Sequence, residues 1–150
     1  IQAMAGMMSI TGEAGREPQK AGVAISDLFT GLYSVVAIQA ALRHAEKAGE
    51  GQHIDMALFD SQISALGNQN LNYLVSGKSP VQMGNAHMNI APYEVLPVRD
   101  GHIILAVGND GQFQKFCAAV GLDDLPSNRD FATNPARVAN RARLRERIIE

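Results

Sequence analysis

Asp27 is the residue whose type and position most clearly suggest chemistry. It lies where an apolar, strand-like segment, residues 22–26, meets the start of a predicted helix. Unpaired N–H groups and the positive end of the dipole at a helix N-terminus favour an ionised carboxylate, which can act as a nucleophile. Thr30 and Gly31 follow, and a glycine in the first turn lets a ligand approach the backbone closely. The alternative is an ordinary helix cap, which is a common role for aspartate.

The histidines and the single cysteine show no spacing typical of a zinc site, so we expect no metal. His44, His53 and His102 are interpreted as solvated or hydrogen-bonded structural residues. His87 lies in the loop sequence GNAHMN and could contact a ligand or simply form a turn. Cys117 lies on the apolar face of a predicted helix, where a small buried hydrophobic residue is expected.

The helices that would position Asp27 follow from the spacing of apolar residues. This spacing predicts a helix from Leu28 to Lys47. Residues 52–59 alternate apolar and polar side chains, which predicts a strand. Asp60 or Ser61 is expected to cap a second helix that runs to about residue 75.

The second half of the chain has a different pattern. Residues 77–92 are rich in Gly and Pro without clear periodicity, which indicates a linker. Two apolar runs, YEVLPV and HIILAV, flank Asp100-Gly101 and predict a β-hairpin. Asn109 or Asp110 is expected to cap a helix that Gly121 closes.

A last helix is expected to begin at Asn134. It carries a dense set of arginines, at positions 137, 141, 143, 145 and 147. We interpret them as a solvated helix surface, because Val138, Ala142, Arg145 and Ile149 lie on one stripe with the remaining charges spread around it. Nucleic-acid binding is not expected, because the strand segments lack the aromatic residues of a platform that stacks bases.

Composition limits the classes of function. The 150 residues are 46% hydrophobic and 19% charged, which is enough to bury a core. The formal net charge of −2 gives no reason to expect nucleic acid or an anionic membrane surface as a partner. Every apolar run is interrupted well before the ~20 residues of a membrane span, so no membrane is expected. The lone cysteine fits a reducing, cytoplasmic setting.

Both ends of the sequence lie within predicted structural elements. The chain begins inside an apolar stretch and stops within a helical pattern. We therefore expect an internal fragment of a longer protein, called the parent protein below.

Three short motifs occur in order between Val23 and Gln62: DLFTG at Asp27, KAGEGQ at Lys47 and MALFD at Met56. They are followed by GNAHMNIAPYEVLPVRDGHIILAVGND and FATNPARVANRARL. Together these segments resemble the family III CoA-transferases, the group of formyl-CoA transferase and carnitine CoA-transferase, with α-methylacyl-CoA racemase as a relative. The resemblance extends over nearly the whole chain.

The resemblance implies an α/β fold. Residues 1–76 would be a Rossmann-like part of a large domain that carries Asp27, residues 77–92 a linker and active-site loop, and residues 93–150 the start of a smaller α+β domain. In the parent protein, two chains would interlock as a homodimer.

The resemblance also implies that Asp27 attacks an acyl-CoA, forming a mixed anhydride and then an aspartyl-CoA thioester that passes CoA to a carboxylic acid. Gly84, Asn85 and His87 would form the substrate-binding loop, and Leu58 would contact CoA. Coenzyme A and acyl-CoA would be substrates rather than tightly bound cofactors. Most contacts to CoA are expected upstream of Ile1, so the fragment alone is expected to be inactive.

The segment around His87 looks most like members that handle dicarboxylic acyl groups such as succinyl, with His87 as donor to the distal carboxylate. Two alternatives remain open. One is an α-methylacyl-CoA racemase that uses Asp27 as an acid and base, although Thr30-Gly31 favours the transferase. The other is a non-catalytic fragment that keeps only a folding or association surface.

Overall fold

The computed structural model describes residues 1–150, which divide into two compact units, Ile1–Gly84 and Asn85–Glu150. The division lies within residues 77–92, the predicted linker. The first unit contains α1 (Met7–Ile10), α2 (Ile25–Ala48), α3 (Leu58–Ser64) and α4 (Asn68–Ser76). The second contains β1 (Tyr93–Val98), β2 (Gly101–Ala106), α5 (Asp110–Val120), a 3₁₀ turn (Leu125–Ser127), α6 (Asn134–Ala139) and α7 (Arg141–Ile149). Helices and an antiparallel hairpin together confirm the α/β class.

Helix α2 confirms the long helix predicted from apolar spacing, and it begins at Ile25, before the predicted start. Gly49 ends it with a φ of 75°, and the N–H of Gly49 donates to the carbonyl of Ala45. Glycine adopts this left-handed conformation without strain, so it is a common residue just after a helix. The residues just before α2 form no strand, because the helix already includes Ile25 and Ser26.

The apolar face of α2 is largely uncovered. Leu28, Leu32, Val35 and Val36 are each more than half exposed. By length and composition alone α2 could cross a membrane, since an 18-residue window has a mean hydropathy of 1.4 and is 6% buried. The expectation that no run would approach a membrane span is therefore wrong for α2. Core helices of soluble proteins and signal sequences meet the same criterion, so the observation is weak evidence for a membrane.

The strand predicted over residues 52–59 is wrong. Residues 51–57 have no regular structure, and α3 begins at Leu58. A strand needs a neighbour to pair its N–H and C=O groups, and the unit Ile1–Gly84 contains no other strand. The expected second helix also differs, because it starts before Asp60 and Gly67, with a φ of 57°, separates α3 from α4. This unit is thus helical, and its Rossmann-like character rests on resemblance alone.

The second unit confirms the predicted hairpin and the helix after it. Strands β1 and β2 are antiparallel, with Val98 opposite Gly101 at the turn. The side chain of Asn109 accepts a hydrogen bond from the N–H of Gln112, which makes it the N-cap of α5, and Gly121 closes that helix. The core of this unit is formed by fully or nearly fully buried side chains: Ala91, Val107, Phe113, Cys117, Leu125, Phe131 and Leu144.

The last predicted helix begins at Asn134 as expected but breaks at Asn140 into α6 and α7. The interpretation of its arginines as a solvated surface is wrong for Arg137, which has no exposed surface. Its guanidinium donates to the carbonyls of Ala91 (2.7 Å) and Phe131 (3.0 Å) and to the carboxylate of Asp110 (2.7 Å). Charge can be buried here because every side of the guanidinium finds an acceptor, an arrangement that helical periodicity does not reveal.

Candidate functional site

Asp27 lies in the first turn of α2, with its side chain exposed. The N-cap position belongs to Ala24, which makes no side-chain capping bond. The reading of Asp27 as an ordinary cap is therefore wrong. Its carboxylate takes part in no hydrogen bond or ion pair within the chain. A carboxylate that is exposed and makes no contact within the chain is accessible to a substrate.

A pocket of about 350 Å³ surrounds this position. Asp27, Ser26 and Leu58 line it together with Lys20 and the small residues of the segment 21–24. The structure thus brings Leu58, the candidate CoA contact, into the same pocket as the candidate nucleophile.

A buried polar pair lies beneath Asp27. The hydroxyl of Ser26 donates to Oε1 of Gln62 at 2.5 Å, which ties the first turn of α2 to α3. Both side chains are buried, and Nε2 of Gln62 is enclosed without a hydrogen-bond partner. Thr30 adds a bond within α2, from its hydroxyl to the carbonyl of Ser26 (2.7 Å). The turn that carries Asp27 is therefore fixed from two sides.

The opposite wall of the pocket is held by Gln2. Its Oε1 accepts a hydrogen bond from the N–H of Ala21 (2.8 Å), and its Nε2 donates to the carbonyl of Val23 (3.3 Å). These bonds fix residues 21–23, which lie just before α2 and have no regular structure. The pocket therefore has two defined walls.

Gly84 is not among the residues that line this pocket. It ends the first unit with a φ of 58°, and its N–H donates to the carbonyl of Gly12 (2.9 Å). Asn85 and His87 belong to the second unit, where Asn85 is exposed and His87 is half-buried. The assignment of all three to substrate binding stays a prediction.

The His87 ring has a defined environment within its unit. It stacks on Tyr93 with ring centroids 5.3 Å apart, and the N–H of His87 donates to the carbonyl of Tyr93 (2.8 Å). The N–H of Asn89 donates to Nδ1 of His87 (3.1 Å). Because Nδ1 is an acceptor, the neutral imidazole carries its proton on Nε2, which is then a donor.

Arg141 and Asn134 hold the loop that contains His87. Nη2 of Arg141 donates to the carbonyls of His87 (2.7 Å) and Met88 (3.1 Å). Nδ2 of Asn134 donates to the carbonyl of Asn89 (2.8 Å). Burial lowers the pKa of Arg141, and the neighbouring Glu94 carboxylate opposes that shift. The loop is therefore preorganised by α6 and α7 rather than by its own sequence.

The other histidines and the cysteine lie elsewhere. His44, His53 and His102 are exposed. Cys117 is buried in the second unit, as expected, and burial raises the pKa of its thiol.

Sequence reasoning missed Lys20, Ser26 and Gln62. For Gln62 a signal was present, since an amide among the apolar residues of α3 suggests a buried hydrogen-bond partner. For Lys20 the only signal was its place in the loop just before Asp27, which does not separate it from other exposed lysines.

The family model described as CoA-transferase family III matches residues 1–150. A succinate–glutarate CoA-transferase of Agrobacterium fabrum is 58% identical over 148 residues, which is 99% of this chain and 37% of that protein. The human succinyl-CoA:glutarate CoA-transferase is 40% identical over 95% of this chain and 32% of its own length. The chain thus spans about a third of the length of these curated relatives.

Solved structures give the same picture. A crystal structure of a CAIB/BAIF family protein from Brucella suis is 60% identical, with a TM-score of 0.72, and the match covers 97% of this chain and 38% of that one. A Mycobacterium tuberculosis protein is 25% identical, with a TM-score of 0.79 over 97% of this chain and 37% of its own.

Proposed function

Because the chain belongs to CoA-transferase family III, we propose that the parent protein moves CoA from an acyl-CoA donor to a free carboxylic acid, with Asp27 as the nucleophile. The observation that carries this proposal is the exposed, unpartnered carboxylate of Asp27 in the pocket at the start of α2. The family match covers the whole chain, and the relatives named above are CoA-transferases. Those names favour transfer over racemisation.

The reaction begins when an oxygen of the Asp27 carboxylate attacks the thioester carbonyl of the donor. The C–S bond breaks, CoA leaves as a thiolate, and a mixed anhydride of Asp27 and the acyl group remains. The thiolate then attacks the Asp27 carbonyl and releases the donor acid, leaving an aspartyl-CoA thioester. An incoming carboxylate repeats these two steps in reverse, which forms the new acyl-CoA and restores Asp27.

This sequence needs no metal or tightly bound cofactor, because carboxylate and thiolate are themselves the nucleophiles and leaving groups. It does need the activated intermediates to be kept from water. We assign Leu58 to contact CoA beside Asp27, and Gly84, Asn85 and His87 to the loop that covers the acyl group. The Nε2–H of His87 would donate to the thioester oxygen or to an acyl carboxylate. We also propose that the parent protein is a homodimer and is located in the cytoplasm.

The acyl groups are proposed to be short dicarboxylic chains. Support comes from the resemblance around His87 and from the two relatives whose names mention succinate or succinyl-CoA together with glutarate. A panel of acyl-CoA donors tested with the parent protein would check this. A clear preference for branched monocarboxylic acyl groups would contradict it.

The decisive experiment replaces the nucleophile. Asp27→Ala in the parent protein should lower CoA transfer by at least about a thousandfold, because a nucleophile that forms covalent intermediates has no substitute. The fold should persist, since an acidic residue in a first turn stabilises a helix by only about 0.3–1 kcal/mol. Asp60→Ala is the matched control, because Asp60 is also an exposed acid in the first turn of a helix.

Mass spectrometry provides a direct readout. The unmutated parent protein incubated with acyl-CoA and hydroxylamine should carry a hydroxamate at Asp27. An Asp27→Ala variant that turns over at the unmutated rate would refute the assignment. Exchange of the acyl α-hydrogen for deuterium without CoA transfer would instead identify a racemase.

A further inference from the structure

Lys20 is the only cationic side chain among the residues that line the Asp27 pocket. It is exposed and makes no ion pair or hydrogen bond through its side chain. Its backbone position is defined nonetheless, because the Gln2 side chain accepts from the N–H of Ala21 and donates to the carbonyl of Val23. The pocket therefore presents a positive charge from a fixed stretch of backbone.

Lys20 and Asp27 carry opposite charges in one pocket but do not pair within 4 Å. An ion pair between them would close the pocket and occupy the nucleophile. Because the two charges are separated, a ligand that itself carries charged groups can bind between them. An acid substrate must bring a negative group close to the Asp27 carboxylate, and a cation in the same pocket offsets that repulsion.

We propose that Lys20 is the specificity-determining residue of this pocket and binds the distal carboxylate of a short dicarboxylic acyl chain while Asp27 engages the reacting carboxyl. The proposal rests on the CoA-transferase activity proposed above, and it leaves the Nε2–H of His87 to donate to the thioester oxygen instead of the distal carboxylate. The flexible stem of a lysine lets its ammonium follow chains of slightly different length. Leu58, which lines the same pocket, offers an apolar surface for the methylene groups between the two carboxyls.

The chemistry of the pocket favours a distal carboxylate over a second apolar group. A monocarboxylic chain of the same length would place a methyl group beside an ammonium and gain no charge interaction. A dicarboxylic chain would place a carboxylate there and form a charge-assisted hydrogen bond. Lys20 thus supplies discrimination between dicarboxylic and monocarboxylic acids rather than chemical reactivity.

The test uses Lys20→Gln in the parent protein, with succinate and its monocarboxylic analogue butyrate as acceptors at saturating acyl-CoA. For succinate we expect kcat/KM to fall about 10- to 100-fold, the range of one hydrogen bond to a charged group. For butyrate the change should stay below about twofold, as for a substitution that touches nothing on the substrate. The increase of the succinate KM with ionic strength should also weaken in the variant. Lys78→Gln is the matched control, because Lys78 is exposed and does not line this pocket.

Three results would overturn the proposal. One is an equal fall for succinate and butyrate. Another is a rise in the KM for acyl-CoA with unchanged acceptor kinetics, which would show that Lys20 binds a CoA phosphate. The third is loss of the succinate preference in His87→Asn instead of Lys20→Gln. Absence of any CoA transfer by the unmutated parent protein would refute the proposed function itself, so the two failures are distinguishable.

Discussion

Replacing Ser26 by alanine is expected to destabilise the parent protein more than replacing its larger partner Gln62 by methionine. The hydroxyl of Ser26 is the recorded hydrogen-bond partner of the buried Gln62 amide, whose Nε2 has none. Ser26→Ala removes this bond and leaves the whole amide unsatisfied. Removing one partner of a hydrogen bond and leaving the other buried and unsatisfied costs about 1–3 kcal/mol. We therefore expect the free energy of unfolding to fall by about 1–3 kcal/mol.

Gln62→Met has both stabilising and destabilising effects on the free energy of unfolding. It removes the hydrogen bond and leaves the Ser26 hydroxyl unpaired, but it also removes the orphaned Nε2. Methionine is unbranched and of similar length, so it can fill the site. These effects oppose each other, and the net change should lie within about 1 kcal/mol of zero. The double variant replaces both partners by apolar groups and should recover most of the stability lost in Ser26→Ala, a coupling of about 2 kcal/mol.

Urea unfolding followed by circular dichroism measures these differences through the midpoint and slope of the transition. Ser76→Ala is the control, because Ser76 is exposed and its hydroxyl bonds only to nearby backbone, the carbonyl of Asn72 and the N–H of Lys78. Its effect should stay within about 0.5 kcal/mol. Strictly additive effects of the two substitutions, or a stable Ser26→Ala beside a strongly destabilised Gln62→Met, would refute the reasoning.

Two further predictions concern the arginines and CoA. Arg137→Met should destabilise the second unit by about 3–5 kcal/mol, since two buried carbonyls lose their donor and an ion pair is broken. Thermal unfolding of the parent protein measures this loss. The control is Arg129→Met, which should leave the unfolding temperature unchanged because the Arg129 side chain is 96% exposed. The 150-residue chain alone should bind CoA weakly or not at all in calorimetric titration. The reason is that four of its clustered arginines already form ion pairs with carboxylates: Arg137, Arg143, Arg145 and Arg147. Micromolar binding at moderate salt would show that the ligand site has been misplaced.

The sequence by itself determined the features that depend on local spacing. Apolar periodicity predicted α2, and Asp100-Gly101 between two apolar runs predicted the hairpin, because a helix face and a tight turn are set by neighbouring residues. Asn109, one of the two residues expected to cap α5, also follows from local sequence. The ordered motifs around Asp27 indicate the family from sequence alone.

The features decided by tertiary structure are those in which distant segments meet. The alternation over residues 52–59 suggested a strand, but the unit offers no partner strand, so the segment stays irregular and α3 begins at Leu58. Helical spacing predicts that Arg137 faces solvent. In the structure the carbonyls of Ala91 and Phe131 accept hydrogen bonds from its guanidinium, which makes its burial favourable. A pattern within one helix contains no information about acceptors on another segment.

The candidate site shows the same division. Asp27 could be chosen from its place at a helix start and from its motif, but Lys20, Gln2 and Gln62 could not. Gln62 reaches Ser26 only because α3 packs against α2, and Gln2 holds the wall beside Lys20 only because the first residues of the chain fold back onto residues 21–23. The proposed nucleophile can thus be identified from local sequence, while the pocket that would hold its substrate exists only where three separate segments converge.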